Sequence, residues 1–343
     1  VPPPARGFTI ATPSSRVVDR GTVFGLHVHQ SGEALVKVIQ GEVELQTNDR
    51  TIALHTQAAA AVDSQGNASD ARAEDAMFPS VENFNERIAA GNKATVTRWQ
   101  SATESMAKDS AALLVYNFRE AHPSSRSVRN QVPDANPASH GSLVGAGWSE
   151  GRWPGKRALE FTGLGDRILF KLEGRNKSVT LLSWVRVDSL PNLYQILLMP
   201  DAYRRAALSW MIDGDGNLRL AITNGKSKPG RPDAWEGPVK APAVSNLDLG
   251  RWVFLASTYD STTGLVCHYR DGERIGTGFF RGNIPVVHGT YTFGNWDSGD
   301  RSATGKKTVD QYRNFNGRLD EIAIIGRAMT DGELRGVYQA GKP

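Results

Sequence analysis

Cysteine is almost missing from this chain. Cys267 is the single one, so no disulfide can close within the chain and a zinc cysteine cluster is excluded. It falls in the apolar stretch LVCHYRDG, the setting of a buried, inert thiol. No apolar run approaches the length of a membrane-spanning helix, and no signal peptide is recognisable. The chain opens abruptly on VPPPARG, which reads as a piece cut from a longer protein with its anchor upstream.

Catalytic and nucleotide motifs are missing too. There is no G-x-S-x-G elbow. Gly155-Lys156 is followed by Arg157 and has Glu150 where a phosphate loop needs glycine, and Ile168 breaks a dinucleotide fingerprint after Gly163-Leu164-Gly165. Basic helices, finger motifs and aromatic-interleaved basic strands are lacking, which excludes a nucleic-acid partner. Glycoside hydrolysis needs two carboxylates held about 5–5.5 Å apart for retention. The i, i+2 pairs that matter are Glu42/Glu44, on a strand face expected to be solvated, and Asp213/Asp215, in a turn. Asp320 and Glu321 are adjacent on a strand, so alternation should send them to opposite faces. The chain is read as a non-enzyme.

What is present is β-structure. Gly 35 and Pro 17 punctuate short apolar runs, and 343 residues suffice for two cores. Charge is uneven. Residues 1–110 hold 10 Lys+Arg against 13 Asp+Glu, net −3, and the remainder holds 30 against 23, net +7. A mildly basic second part suits an acidic glycan or polyanion, the alternative being a scattered solvated surface.

FTIAT, VFGLHVH, ALVKVI, VELQT, TIAL and AAAAV read as short strands, with Gln40-Gly41 and Asn48-Asp49 as turns. His27, His29 and His55 are read as surface residues in preference to a zinc site. Thr12-Pro13, Arg20-Gly21-Thr22 before Phe24, and Val36-x-Val38-x-x-Gly41-x-Val43 resemble the FecR domain, the extracytoplasmic part of iron-citrate-type sigma-factor regulators. The likeness assigns residues 1–66 to a small FecR-like β domain. Residues 67–109 are polar and alanine-rich, with Phe84, Ile88, Trp99 and Met106 as anchors, and read as a partly helical linker.

From residue 110 a second strand system begins. Arg318 to Ile325 reads as a largely buried strand ended by Gly326. Thr330 and Glu333 then form a capping box for a short helix carrying Leu334, Val337 and Tyr338. This closing element resembles that of laminin-G-like (LamG, concanavalin-A-like) jelly-roll domains of bacterial surface proteins. So do Ala158, Leu159, Phe161, Gly163 and Asp166 in A-L-x-F-x-G-x-x-D, Trp252 with Tyr259, and Tyr269-Arg270-Asp271-Gly272. The expected fold is all-β, with a jelly roll over 110–343. The family often holds a structural calcium near its last strand, which makes Asp320 a candidate calcium ligand; pairing with an arginine or turn amides is the alternative. DGDGN, Asp213 to Asn217, reads as a hairpin turn, since Leu218 and Asn224 break a calcium-loop frame.

Two long loops carry aromatic and cationic residues together. Trp235 lies beside Arg231, and Trp296 and Asp297 beside Arg301 and Lys306. These six residues are the candidate ligand site, an aromatic face with polar forks for a sugar. Trp184, Trp210 and Trp252 read as core. Together the resemblances imply a non-catalytic, extracytoplasmic sensor. It would bind a carbohydrate and pass that state to a membrane-anchored or outer-membrane signalling partner. A polysaccharide-active jelly-roll enzyme and a protein-adhesion module are the alternatives.

Overall fold

The structure is a computed structural model that describes residues 7–71, 81–119, 122, 124–201, 204–223, 235–296 and 313–343. It separates into two compact units, Val1–Lys93 and Ala94–Pro343.

The first unit contains β1 (Thr9–Ala11), β2 (Arg16–Asp19), β3 (Val23–Val28), β4 (Ala34–Gln40), β5 (Glu42–Gln46), β6 (Thr51–His55), β7 (Ala59–Val62) and β8 (Ala68–Asp70). They form two four-stranded sheets, β1-β2-β5-β6 and β3-β4-β7-β8. Val17, Val36, Val38, Val43, Leu45 and Val62 close a core between them. The Arg20-Gly21-Thr22 signature has a local cause. Buried Asp19 accepts hydrogen bonds from Gly21 N at 3.0 Å and Thr22 N at 2.7 Å, which turns the chain from β2 into β3. Gly41 sits against that turn at φ +96°, and a Cβ there would come within 2.8 Å of Gly21 O, so only glycine fits. His27 is on β3, His29 follows it and His55 is on β6 of the other sheet; all three are exposed. Among the described residues no three His, Cys, Asp or Glu side chains gather as a metal site.

The helix α1 (Val81–Ala107) runs across the division, and its residues from Ala94 on belong to the second unit. No helix among the described residues is long and apolar enough to cross a membrane. The strands of the second unit are β9 (Ala112–Tyr116), β10 (Ser127–Val128), β11 (Gly141–Val144), β12 (Gly147–Glu150), β13 (Arg157–Phe161), β14 (Arg167–Lys171), β15 (Arg175–Asn176), β16 (Ser178–Val187) and β17 (Tyr194–Pro200). They continue with β18 (Leu208–Asp213), β19 (Asn217–Thr223), β20 (Trp235–Pro242), β21 (Trp252–Asp260), β22 (Leu265–Arg270), β23 (Glu273–Phe279), β24 (Val286–Val287), β25 (Thr290–Phe293) and β26 (Gly317–Ile325), and α2 (Asp331–Gly341) ends the chain.

Two large antiparallel sheets stack face to face. One runs β10-β11-β14-β25-β17-β18-β19-β20; the other runs β12-β13-β26-β16-β21-β22-β23, with β9 also paired to β26. Leu159, Phe161, Leu181, Leu197, Trp210, Leu220, Leu255, Phe293 and Ile322 are among those that fill the space between the sheets. A second cluster covers the outer face of the β26 sheet. There Leu182, Trp184, Phe254, Cys267 and Ala323 meet Met106 of α1 and Leu334 of α2. α2 starts as its sequence predicts: Thr330 caps Glu333 N and Glu333 returns to Thr330 N. Burial of Leu334 is worth on the order of 2 kcal/mol. Trp184, Trp210 and Cys267 are buried.

The closing strand departs from plain alternation at one residue. Asp320 pairs with Trp184 and Ile322 with Ser183, leaving Glu321 unopposed at φ +59°. This β-bulge shifts the parity of everything before it. Leu319, Ile322 and Ile324 face the space between the sheets, so Asp320 is on the face opposite Ile322 and Ile324, and Glu321 joins it there. The expectation that these carboxylates diverge is therefore corrected.

Candidate functional site

The paired carboxylates are sealed inside. The loop Gly151–Lys156 folds over them, and Gly151 is required because a Cβ would lie 2.7 Å from Asp320 Oδ2. Arg152 donates from its backbone N (3.1 Å) and Nε (3.2 Å) to Asp320 Oδ2, and from Nη2 to Glu321 Oε2 at 2.8 Å. Lys156 Nζ donates to Asp320 Oδ1. Trp99 Nε1 donates to Glu321 Oε2 at 2.8 Å and Thr103 to Glu321 Oε1, so the end of α1 is bolted to this cluster. The Arg152 guanidinium lies 4.7 Å from the Trp153 ring centre and 4.5 Å from that of Trp184, and Lys156 Nζ is 4.6 Å from that of Trp99. Two acids and two bases give net neutrality, the condition for burying charge at all. Burial lowers the Lys156 pKa first of all, with the Asp320 carboxylate pulling the other way. Calcium has no place on Asp320: both its oxygens already hold cationic side chains of the chain itself. The pairing reading of Asp320 replaces the calcium reading, and the partners Arg152 and Lys156 come from a loop 168 and 164 residues away in sequence.

The exposed chemistry lies elsewhere, on the outer face of the other sheet. Gly294, at φ +93°, packs where a Cβ would be 2.3 Å from the Phe161 ring. Thr292 Oγ1 donates to Asn295 O at 2.6 Å, and Phe315 N donates to Gly294 O at 2.6 Å. These bonds fix the backbone on which Trp296 stands. Across from it, Ile196 N donates to Arg313 O at 3.4 Å, tying Arg313 to β17. The guanidinium of Arg313 lies 4.6 Å from the Trp296 ring centre and 5.5 Å from that of Tyr194, and Arg219 lies 5.2 Å from the same Tyr194 ring. The order Trp296, Arg313, Tyr194, Arg219 is thus an alternating ladder of rings and guanidiniums. Tyr194 and Trp296 rest on Ile196, Met199 and Met211, while the neighbours Leu197, Trp210 and Leu218 point into the main core.

At the foot of the ladder Arg219 lies 3.5 Å from Asp213 Oδ2. The DGDGN turn supplies that carboxylate. Asp213 Oδ1 accepts from Asp215 N (3.1 Å) and Asn217 N (2.9 Å), so the motif is the β18–β19 hairpin turn that its sequence predicts. Stacking strips part of the hydration of each guanidinium, and the Asp213 carboxylate takes up part of the charge of Arg219.

Of the six sequence candidates, Trp296 is in this ladder, with an arginine over its ring. The side chain of Trp235 lies outside the described residues, although its backbone opens β20, and Arg231, Asp297, Arg301 and Lys306 lie outside them altogether. Tyr194, Arg219 and Arg313 were not foreseen. Arg219 sits on β19, where Asn217 and Arg219 alternate with Leu218 and Leu220, a signal that could have singled it out; β17 carries no such alternation at Tyr194.

Residues 169–335, just under half of the chain, match Laminin_G_3, the concanavalin A-like lectin/glucanases superfamily. The second unit is a concanavalin A-like jelly roll. A comparison with curated proteins found no match. Among solved structures, one of botulinum neurotoxin type C, described by the dependence of its cell entry on interaction with two ganglioside molecules, aligns with TM-score 0.50 at 11% identity. That alignment covers 68% of this chain and 52% of the neurotoxin chain. The ligand-binding domain of botulinum neurotoxin serotype D in complex with N-acetylneuraminic acid gives 0.48 at 12% identity, covering 71% and 52%. The chain thus spans about half the length of these structures, and the type C alignment, at 11% identity, shows a likeness of fold alone.

Proposed function

We propose that the jelly roll is a non-catalytic receptor for acidic glycans. The observation that carries this reading is the ladder itself: two guanidiniums, Arg313 and Arg219, held beside Trp296 and Tyr194 on a partly exposed sheet face. Two positive charges beside two aromatic rings favour a carboxylated or sulfated sugar over an uncharged one, the rings offering its apolar face a platform. The net +7 of residues 111–343 favours approach of the same class. The absence of catalysis rests on the carboxylates. Asp320 and Glu321, which share a face of β26, are buried and bound to Arg152 and Lys156, out of reach of a glycosidic bond. The type C neurotoxin structure is described by its interaction with gangliosides, which places gangliosides on the panel of first probes.

The test is a glycan array spanning neutral, carboxylated and sulfated glycans, read with the unaltered chain and with Arg313→Gln and Arg219→Gln. Binding confined to acidic glycans and lost in both variants is the expected result. A blank array, or binding indifferent to both substitutions, overturns the reading.

The FecR-like likeness of residues 1–66 adds a signalling half. This half rests on the sequence likeness; its motif residues build the Asp19–Thr22 turn and the Gly41 contact. In this reading the protein acts outside the cytoplasm and reports ligand occupancy to a membrane-anchored partner. Capture of such a partner by the first unit, altered when the acidic glycan is present, is the matching experiment.

A further inference from the structure

The two edges of the sandwich are finished differently. At one edge β20 and β23 close against each other through glycines. A Cβ on Gly276 would lie 2.6 Å from Ala241 Cβ, and one on Gly278 would lie 2.7 Å from Val239 Cγ1. At the other edge the end strands are β10 of one sheet and β12 of the other, and a cleft of about 190 Å³ remains there.

Its walls are built and held. Trp148 Nε1 donates to Ser125 O at 2.8 Å, and its ring stands edge-on to Phe118 at 5.9 Å between centres. Phe118 is buried in a left-handed conformation, φ +51°, which a bulky residue adopts only when its surroundings impose it. The imposing group is at hand: Lys156 Nζ donates to Asn117 O at 2.8 Å. Besides Trp148 and Phe118, the cleft is lined by Arg119, Arg129, Gln131 and Asn117, and among the described residues by no acidic one. Arg119 forms a surface ion pair with Glu104 at 3.9 Å. Arg129 is exposed and has no acidic partner among the described residues.

We infer that this open edge is a second binding site, separate from the ladder, for one carboxylated sugar residue. A half-exposed indole offers the apolar face of a pyranose a platform. The two arginines take the carboxylate, and the amides of Asn117 and Gln131 take hydroxyls. Gly-rich closure at the opposite edge excludes an equivalent site there.

The inference is independent of the ladder, and the experiment keeps the two apart. Tri-galacturonate and, as the uncharged control, cellotriose are titrated calorimetrically into the chain carrying Arg313→Gln and Arg219→Gln. Saturable binding of tri-galacturonate, at least tenfold tighter than cellotriose, is expected in that background. Adding Arg129→Gln, a surface change that leaves the melting temperature in place, should weaken it at least tenfold. The Trp148 indole N–H resonance should shift on titration in the first variant and stay fixed in the second. No binding in the ladder-deficient background, equal binding of cellotriose, or indifference to Arg129→Gln each overturns the second site. Loss of binding in the ladder variants with no further effect of Arg129→Gln assigns all recognition to the ladder alone.

Discussion

Asp320 and Glu321 are neighbours in the chain, yet both carboxylates bind the guanidinium of Arg152, at 3.2 and 2.8 Å. The bulge at Glu321 makes this possible, and the consequence is a neutral four-charge cluster holding the end of α1, the Gly151–Lys156 loop and β26 together. Removing one member strands the others. Arg152→Met should therefore cost about 3–5 kcal/mol, the penalty of breaking a buried pair from one side. Urea denaturation checks this, with Arg335→Ala as the contrast. Arg335 pairs with Glu273 on the surface at 2.9 Å, and its loss should leave the midpoint unchanged.

Stability should also fall in mild acid, before the carboxylates titrate. His268 is buried between Ser257 Oγ at 2.7 Å and Val239 O at 2.9 Å. Ser257 already accepts from Trp210 Nε1, so its hydroxyl donates to Nδ1, and Nε2–H donates to the carbonyl. The ring is thereby fixed neutral. Burial pushes the pKa of His268 down to about 4 and that of His288 likewise to about 4, against about 6.5 in the unfolded chain. The unfolded state takes up these protons first. The stabilisation is complete above about pH 6.5 and is lost as pH falls toward 4, on the order of 3 kcal/mol per histidine. Urea midpoints between pH 7 and 4 should show this decline; a flat profile rejects it. Glu333, held at about 2 mainly by the Arg327 guanidinium, gives up its contribution from about pH 4.5 downward, mostly below that window.

Much of the architecture was legible because local chemistry and burial agree. Thr330 and Glu333 spell a helix start, the alternating runs of the first unit spell strands, and DGDGN spells a turn. β2 was missed because Arg16 to Asp19 is short and carries a charge at each end. The cluster of Arg152, Lys156, Asp320 and Glu321 was half legible. An acid beside an apolar strand demanded a cation, but alternation alone hides a bulge, and nothing in sequence spacing links β26 to a loop more than 160 residues earlier. The ladder was legible at Trp296 and, through the alternation of β19, at Arg219; the stacking of Arg313 on Tyr194 joins a loop residue to a strand more than a hundred residues earlier, which spacing does not show.

Gly216 gives a test of the hairpin that positions Asp213 under Arg219. Its φ is +81°, and a Cβ would sit 1.8 Å from Val244 O. Backbone strain and the clash act together, because Val244 N also donates to Gly216 O at 2.9 Å. Gly216→Ala should lower stability by about 2 kcal/mol or more, seen as a lower melting temperature, whereas Gly336→Ala, with open space around its Cβ position on α2, should hold or raise it.

The ladder predicts a difference between charge and shape. Arg313 is placed by the Trp296 and Tyr194 rings at 4.6 and 5.5 Å, a geometry that suits a flat guanidinium. Arg313→Lys keeps the net charge but replaces that flat group with a hydrated point charge. If the recognised group is a carboxylate gripped bidentately, affinity for an acidic glycan should drop about tenfold or more in the lysine variant. The slope of affinity against ionic strength should stay near that of the parent chain, because long-range attraction depends on charge alone. Titration calorimetry at two salt concentrations measures both. Full affinity in Arg313→Lys would mean that the ladder contributes only its field, and the argument from planar stacking would fail.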